Sequence, residues 1–423
     1  MTERHLTDVR FDALAIDPAV LAGIREAGFE SCTPIQGATL PDALTGSDVA
    51  GQAQTGTGKT AAFLIAAFHH LLQTEPLPGR RPNDPRAVML APTRELAVQI
   101  HKDAEILNRH TGFKLALAFG GTDYEKQRKQ IEAGCDVLIG TPGRIIDYFK
   151  QKVFRFSCCQ VVVLDEADRM FDLGFISDIR FVLRRMPEPG QRLNMLFSAT
   201  LSQRVLELAY EHMNDPELVQ IEPERVTPDR IRQLIYYPSN REKIPLLIGL
   251  LRQMDPRRTM VFVNRRRESE RLQRFLEANG IDARAMSGDV PQKKRLRLLR
   301  DFQSGELPVL IGTDVASRGL HIPGVSHVFN FDLPDDAEDY VHRIGRTARA
   351  GAEGDAISFG CEDYAQNLPA IEKYVGYKIP VEAIDPALLV DIKIPPRPPR
   401  KPHNKRGGPP ARGRGGRPPR RRK

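Results

Sequence analysis

Short apolar runs recur along the chain and alternate with longer amphipathic stretches. In the first half they are Val88-Met89-Leu90, Leu115-Ala116-Leu117, Val137-Leu138-Ile139, Val161 to Leu164 and Met195-Leu196-Phe197. Unbroken apolarity over three or four residues, in place of strict alternation, marks strands buried on both faces, as in a parallel sheet. Between them lie stretches such as Ala61 to Leu72 and Glu95 to Leu107, where apolar residues return with the helical period. This βαβ rhythm predicts an α/β fold on a parallel sheet. It resumes with Met260 to Val263, Val309-Leu310-Ile311 and His327 to Phe331. Between the halves, Glu222 to Arg230 reads E-P-E-R-V-T-P-D-R, with two prolines and few apolar residues, which suits an interdomain linker. The expected organisation is an N-terminal α/β domain at 1–221, a linker at 222–229, a second α/β domain at 230–385 and a tail at 386–423.

Charge separates the tail from the rest. The net charge is +8, but thirteen Lys and Arg fall between Lys393 and Lys423 with no acid among them. Subtracting thirteen from +8 leaves −5 on residues 1–392. The segment is rich in Pro and Gly and has no apolar periodicity, so it is expected to be disordered. It reads either as a solubilising terminus or as an arm that neutralises nucleic-acid phosphates without reading sequence. The five cysteines are scattered, and the adjacent Cys158-Cys159 lacks zinc-ligand spacing, so free core thiols are expected. No apolar run reaches the roughly 18 residues that a membrane span needs, and the first ten residues are polar. No membrane insertion is expected, and the reading is a soluble, cytoplasmic protein.

Three ordered motifs carry chemistry. Ala53 to Thr60 reads A-Q-T-G-T-G-K-T, a phosphate-cradling loop between an apolar stretch and a helical pattern. Gly56 and Gly58 let backbone N–H groups approach phosphates, Lys59 reaches the β/γ oxygens and Thr60 can hold Mg²⁺, with Gln54, Thr55 and Thr57 completing the loop. Ala53 stands where the strict pattern has its first Gly. Val161 to Asp168 reads V-V-V-L-D-E-A-D; alone, the acidic tetrapeptide would be a solvated loop, but an apolar run delivers it to the carboxyl edge of a sheet. There Asp165 would orient Mg²⁺ and Glu166 would activate water. His342 to Arg349 reads H-R-I-G-R-T-A-R, whose Arg343, Arg346 and Arg349 are either an ordinary basic helix face or the cations that phosphoryl transfer needs.

These motifs resemble those of the DEAD-box RNA helicases, in order, from about Phe11 to Arg349. Also present are G-F-E-S-C-T-P-I-Q (Gly28 to Gln36), P-T-R-E-L-A (Pro92 to Ala97), Gly120-Gly121, T-P-G-R (Thr141 to Arg144), S-A-T (Ser198 to Thr200), V-F-V-N (Val261 to Asn264), Q-K-K-R (Gln292 to Arg295) and T-D-V-A-S-R-G (Thr313 to Gly319). The resemblance implies two RecA-like domains that bind ATP and RNA across the cleft between them. It implies that Gln36, whose amide can pair with the adenine N6/N7 edge, selects ATP. Phe11 would stack on the base, or else is simply packed. It further implies that Asp314 holds the ribose, that Ser198 and Thr200 couple the acidic motif to closure, and that Arg343 and Arg346 reach the γ-phosphate. Thr93, Arg94, Gly121, Thr141 and Arg144 on the first domain, with Arg295, Thr313 and Arg318 on the second, would grip the RNA backbone, as hydroxyl, glycine and cationic residues do.

Within the family the resemblance is nearest to the helicase of the proteobacterial RNA degradosome. It is carried by G-L-H-I-P-G-V, with His321 where most members have Asp, by D-R-M-F-D-L-G-F-I from Asp168 and by N-L-P-A-I-E-K-Y-V-G from Asn367. That implies RNase E and other degradosome components as partners, docked through the second domain. Two other classes remain: a DNA translocase, against which the D-E-A-D and Gln36 motifs speak, and an ATP-independent RNA scaffold, against which Lys59, Glu166 and Arg346 speak.

Overall fold

The computed structural model describes residues 6–53, 56–121, 123–221, 231–254, 258–287, 290–314, 325–347 and 354–396, without the side chains of 292 and 293. The expected linker at 222–229 lies outside these residues, as do Gln54, Thr55, Arg318, His321 and Arg349.

The first seven strands are β1 (Val49–Gln52), β2 (Ala87–Leu90), β3 (Leu115–Ala118), β4 (Val137–Gly140), β5 (Val161–Asp165), β6 (Leu193–Ser198) and β7 (Glu217–Gln220). They form one sheet in the order β3-β4-β2-β5-β6-β1-β7, with every pairing parallel. The next six are β8 (Ile231–Tyr236), β9 (Thr259–Phe262), β10 (Ala283–Met286), β11 (Val309–Gly312), β12 (His327–Asn330) and β13 (Gly354–Phe359). They form a second parallel sheet, β10-β11-β9-β12-β13-β8. Alternate strand residues supply separate cores. Met89, Ile139 and Val163 join one apolar cluster, while Val88, Leu138 and Val162 join another on the opposite face. Burial on both faces is what the unbroken apolar runs require.

The expected helices are present with slightly wider bounds, Lys59–Gln73 and Arg94–Leu107. All five cysteines are buried and unpaired. Among the described residues no helix is long and apolar enough to cross a membrane.

The tail expectation needs correction at its start. Residues 386–396 are not a disordered extension: Leu388, Leu389, Val390 and Ile392 pack against the core of the second sheet. A Cβ on Gly249 would lie 2.1 Å from the Leu388 carbonyl oxygen, so the strap needs a glycine beneath it. The Asn279 side chain bonds both backbone groups of Lys393, at 2.8 and 3.0 Å. Four apolar side chains here outweigh the Pro-rich composition that follows. Residues 397–423 lie outside the described part.

Candidate active site and nucleic-acid interface

In both sheets the motif residues follow the carboxyl ends of parallel strands, where backbone donors and side chains converge. β1 delivers the phosphate loop. Gly56 and Gly58 have φ of 89° and 92°, and Gly58 caps the helix Lys59–Gln73 in the left-handed conformation. A Cβ on Gly58 would also stand 2.6 Å from Gln36 Nε2, so only glycine fits. The loop therefore aims the N-terminus of a 15-residue helix at the cleft, with its free N–H groups and positive dipole end. Lys59 is buried and its Nζ donates to the Ala53 carbonyl at 2.6 Å, which holds the cation against the loop it serves.

β5 is paired on both sides, with β2 and β6, and ends at Asp165. Burial pushes this carboxyl up to about 7, Lys59 opposing and Glu166 adding to the shift. A carboxylate so disfavoured gains from a cation beside it, and Thr60, Asp165 and Glu166 line one cavity. Glu166 follows at φ 53°, ψ 53°, a conformation that costs a non-glycine residue about 1–2 kcal/mol. Among the described residues its Oε2 is buried with no hydrogen-bond partner, and Arg169 Nη1 stands 3.8 Å from it. An oriented carboxylate oxygen left open beside the phosphate loop suits a water to be deprotonated.

The fourth residue of the motif, its third acid, was not among the expected site residues, and it ties the acidic turn to Ser198-Ala199-Thr200. Asp168 Oδ2 accepts from the backbone N–H groups of Ala199 and Thr200, both at 3.1 Å, and from Thr200 Oγ1 at 3.4 Å. Asp168 N–H in turn donates to Ser198 Oγ at 3.1 Å. Ser198 and Thr200 are thus hydrogen-bonded to the acidic turn. The signal was present in D-E-A-D, whose last residue had no assigned task.

A cavity of about 870 Å³ opens between the domains, lined by Glu166, Asp168 and Thr200 on one side and by His342 and Arg346 on the other. Arg346 therefore lines the cleft opposite these carboxylates. Arg343 does not. Its guanidinium is 1% exposed and donates to both oxygens of Asp314 at 2.7 Å, to Asn264 Oδ1 at 2.7 Å and to the Asp332 carbonyl at 2.6 Å. All these partners belong to the second domain, so moving the domains together leaves Arg343 where it is. In this structure that network, and not the cleft, holds the guanidinium expected at the γ-phosphate. Asp314, expected at the ribose, has both oxygens held by the same guanidinium.

A second cavity, about 790 Å³, is lined by Phe11, Gly28, Gln36, Gly56, Gly58, Lys59 and Thr60 and reaches Asp165 and Glu166. Phe11 is both a wall of this cavity and a member of the core beneath it, so the two readings of it meet in one side chain. Gln36 is engaged within the protein: Oε1 accepts from Thr33 N–H at 2.8 Å and Nε2 donates to the Gly58 carbonyl at 3.0 Å. It braces the phosphate loop, and a base binding to this amide would exchange with those two bonds.

A groove of about 480 Å³ runs over Thr93, Arg94, Gly120, Thr141 and Arg144 to Val290 and Arg295. Thr93 and Thr141 are the capping positions of the helices Arg94–Leu107 and Pro142–Lys150, which sets backbone N–H groups at the groove. The Arg94 guanidinium lies over Gly120, where a Cβ would be 3.2 Å from Nη2, and Gly121 follows exposed at φ 83°. Arg295, expected at the RNA backbone, lines this groove and is paired across the domain boundary with Glu95 at 2.6 Å, both side chains being largely buried. Thr313 follows directly after β11.

The description "DEAD/DEAH box helicase" belongs to the family model that matches residues 33–208, and "Helicase conserved C-terminal domain" to the one that matches 242–351. The chain is 60% identical over 400 residues to the ATP-dependent RNA helicase RhlB of Xanthomonas axonopodis pv. citri (strain 306), spanning 94% of this chain and 70% of that protein. It is 58% identical over 398 residues to RhlB of Vibrio atlanticus (strain LGP32), spanning 94% and 91%. Among solved structures it resembles S. cerevisiae Dbp5 bound to RNA and ADP BeF3, with 33% identity, TM-score 0.77 and coverage of 89% and 95%. It also resembles Mss116p bound to ssRNA and AMP-PNP, with 28% identity, TM-score 0.78 and coverage of 90% and 80%.

Proposed function

The chain belongs to the DEAD-box family of ATP-dependent RNA helicases, and from that premise we propose how its residues divide the work. ATP enters the cavity under Phe11 and Gln36, with its phosphates on the loop from Ala53 to Thr60. Thr60 and Asp165 would hold Mg²⁺, which supplies charge neutralisation at the phosphate oxygens. Glu166 takes a proton from the attacking water. The new P–O bond forms on the γ-phosphorus as its bond to the β-phosphate oxygen breaks, and Arg346 stabilises the charge that develops. The observation that carries this reading is Glu166: strained, buried, with one oxygen lacking a hydrogen bond, and lining both the nucleotide cavity and the interdomain cleft.

RNA lies in the groove over Thr93, Arg94, Gly121, Thr141 and Arg144. Because ATP and RNA each bridge the domains, each favours closure and so favours the other. A strand bent on closure loses its duplex partner locally, and phosphate release reopens the cleft. Stimulation of ATPase by RNA and not by DNA tests the substrate class; equal stimulation by both would favour the translocase reading.

The identity to RhlB-named relatives supports a finer reading: a cytoplasmic helicase that works with RNase E in RNA degradation, docked through residues 230–385. Mixing the full chain with RNase E from the same cell tests it. Binding that survives when surface residues of the second domain are changed, or no binding at all, removes this reading and leaves the helicase assignment intact.

A further inference from the structure

Arg144 differs from the other cations of the RNA groove in what surrounds it. Its Cζ lies 4.8 Å from the ring centroid of Tyr124 and 5.5 Å from that of Tyr148. The two rings are themselves 4.8 Å apart, tilted by 42°. Nη1 donates to Tyr148 Oη at 3.3 Å, and among the described residues the guanidinium makes no other hydrogen bond. A guanidinium carries five N–H donors, so most of Arg144's remain for a ligand in the groove it lines.

The bracket is itself anchored. Tyr148 is fully buried in the first domain's core, and its hydroxyl donates to the Tyr124 carbonyl at 2.9 Å. One turn on from Tyr124, Gln127 clamps the end of β3, accepting from Phe119 N–H at 3.0 Å and donating to its carbonyl at 3.1 Å. Gly120-Gly121 lies between these two ties. One assembly therefore fixes both the glycine turn and the arginine of T-P-G-R.

We propose that Tyr124 and Tyr148 are positioning residues for RNA capture: they hold the Arg144 guanidinium as a flat, pre-oriented donor for an RNA phosphate. This rests on the groove being the RNA site. A flexible arginine would lose rotamer freedom on meeting a phosphate. One already stacked on two rings has lost most of that freedom, and its planar fork suits a phosphate better than a lysine ammonium does.

The test is equilibrium RNA binding by the full chain with a non-hydrolysable ATP analogue, over a series of salt concentrations. Arg144→Ala should weaken binding and lower the log–log salt slope by about 0.7, the value of one phosphate contact on a single strand. Tyr124→Leu should weaken RNA binding about three- to tenfold, the range of a partly desolvated cation–π contact, with ATP affinity unchanged. Tyr124→Phe, which keeps the ring, should behave as wild type. Tyr124→Leu added to Arg144→Ala should cost nothing further. Should Tyr124→Leu fold poorly, Tyr148→Phe removes only the hydroxyl and should still weaken RNA binding, with no added loss in the Arg144→Ala background. Losses that multiply in the double variants, or wild-type RNA affinity in both tyrosine variants while Arg144→Ala is defective, overturn the positioning role. Unchanged binding in Arg144→Ala removes the groove assignment itself, and the proposal with it.

Discussion

Glu95 of the first domain and Arg295 of the second meet at 2.6 Å, with side chains 8% and 12% exposed. A pair so enclosed is stable only while both partners are present, because either charge alone would be left buried. Arg295→Ala should therefore oppose closure: half-saturation by RNA should rise and RNA-stimulated ATPase should fall, while ATP binding to the first domain persists. An interdomain fluorescence-transfer pair reports closure directly. Unchanged closure in Arg295→Ala would show that the contact is incidental.

Glu166→Gln should bind ATP and RNA but lose about 10²- to 10⁴-fold of turnover, the usual contribution of a general base. Lys59→Ala should instead weaken ATP binding itself. Near wild-type ATPase in Glu166→Gln would remove it as the base.

Arg343 and Arg346 stand one helical turn apart and should fail differently. Arg346→Ala should lower kcat with little effect on thermal stability. Arg343→Ala would remove the buried guanidinium that bonds both Asp314 oxygens, and losing one partner of a buried pair costs up to about 3–5 kcal/mol. It should melt the second domain at lower temperature. Calorimetry of both variants separates the roles, and an unaltered melt in Arg343→Ala would return it to the cleft residues.

His69 supplies a pH dependence. Burial holds its imidazole below the ordinary 6.5, against the opposing charge of Asp17, and its Nδ1 accepts from Asp17 N–H at 3.1 Å. The folded chain thus binds fewer protons than the unfolded one, so this contribution is complete above 6.5 and is lost as pH falls through 6.5 toward the lower folded value. His69→Gln cannot titrate. Its melting temperature should vary less than that of wild type between about pH 5 and 8; parallel curves would refute the assignment.

Deleting 397–423 removes twelve of the thirteen tail cations but spares Lys393, which is bonded to Asn279. RNA affinity should drop, and its salt slope should flatten by about 0.7 for each phosphate that the segment no longer neutralises, with basal ATPase intact. An unchanged slope would make the segment a solubiliser.

Much of this was legible in the sequence because parallel strands buried on both faces cannot hide: Val161 to Leu164 and Val137 to Ile139 read as strands without help. β7 did not, since Glu217, Leu218 and Gln220 are exposed on an edge strand and carry no burial signal. β10, Ala-Arg-Ala-Met, is likewise at an edge, with its middle residues only half-buried. Motif spacing singled out Lys59, Asp165, Glu166 and Arg346, which line the cavities of the cleft. It could not tell Arg343 from Arg346, because both are arginines in one motif and only Asp314 and Asn264, brought near by folding, reveal which is occupied. Gln36 shows the same limit: its amide chemistry was readable, but its brace on Gly58 depends on how two distant turns meet.

The strap that ends at residue 396 also fixes a direction. Asn279, which grips Lys393, follows the helix Arg266–Ala278 and precedes β10, so it sits at the amino edge of the second sheet, while the cleft lies at the carboxyl edge. The cationic segment is rooted at the end of the molecule facing away from the reaction. The 27 residues that follow residue 396 could extend at most about 90 Å from that root.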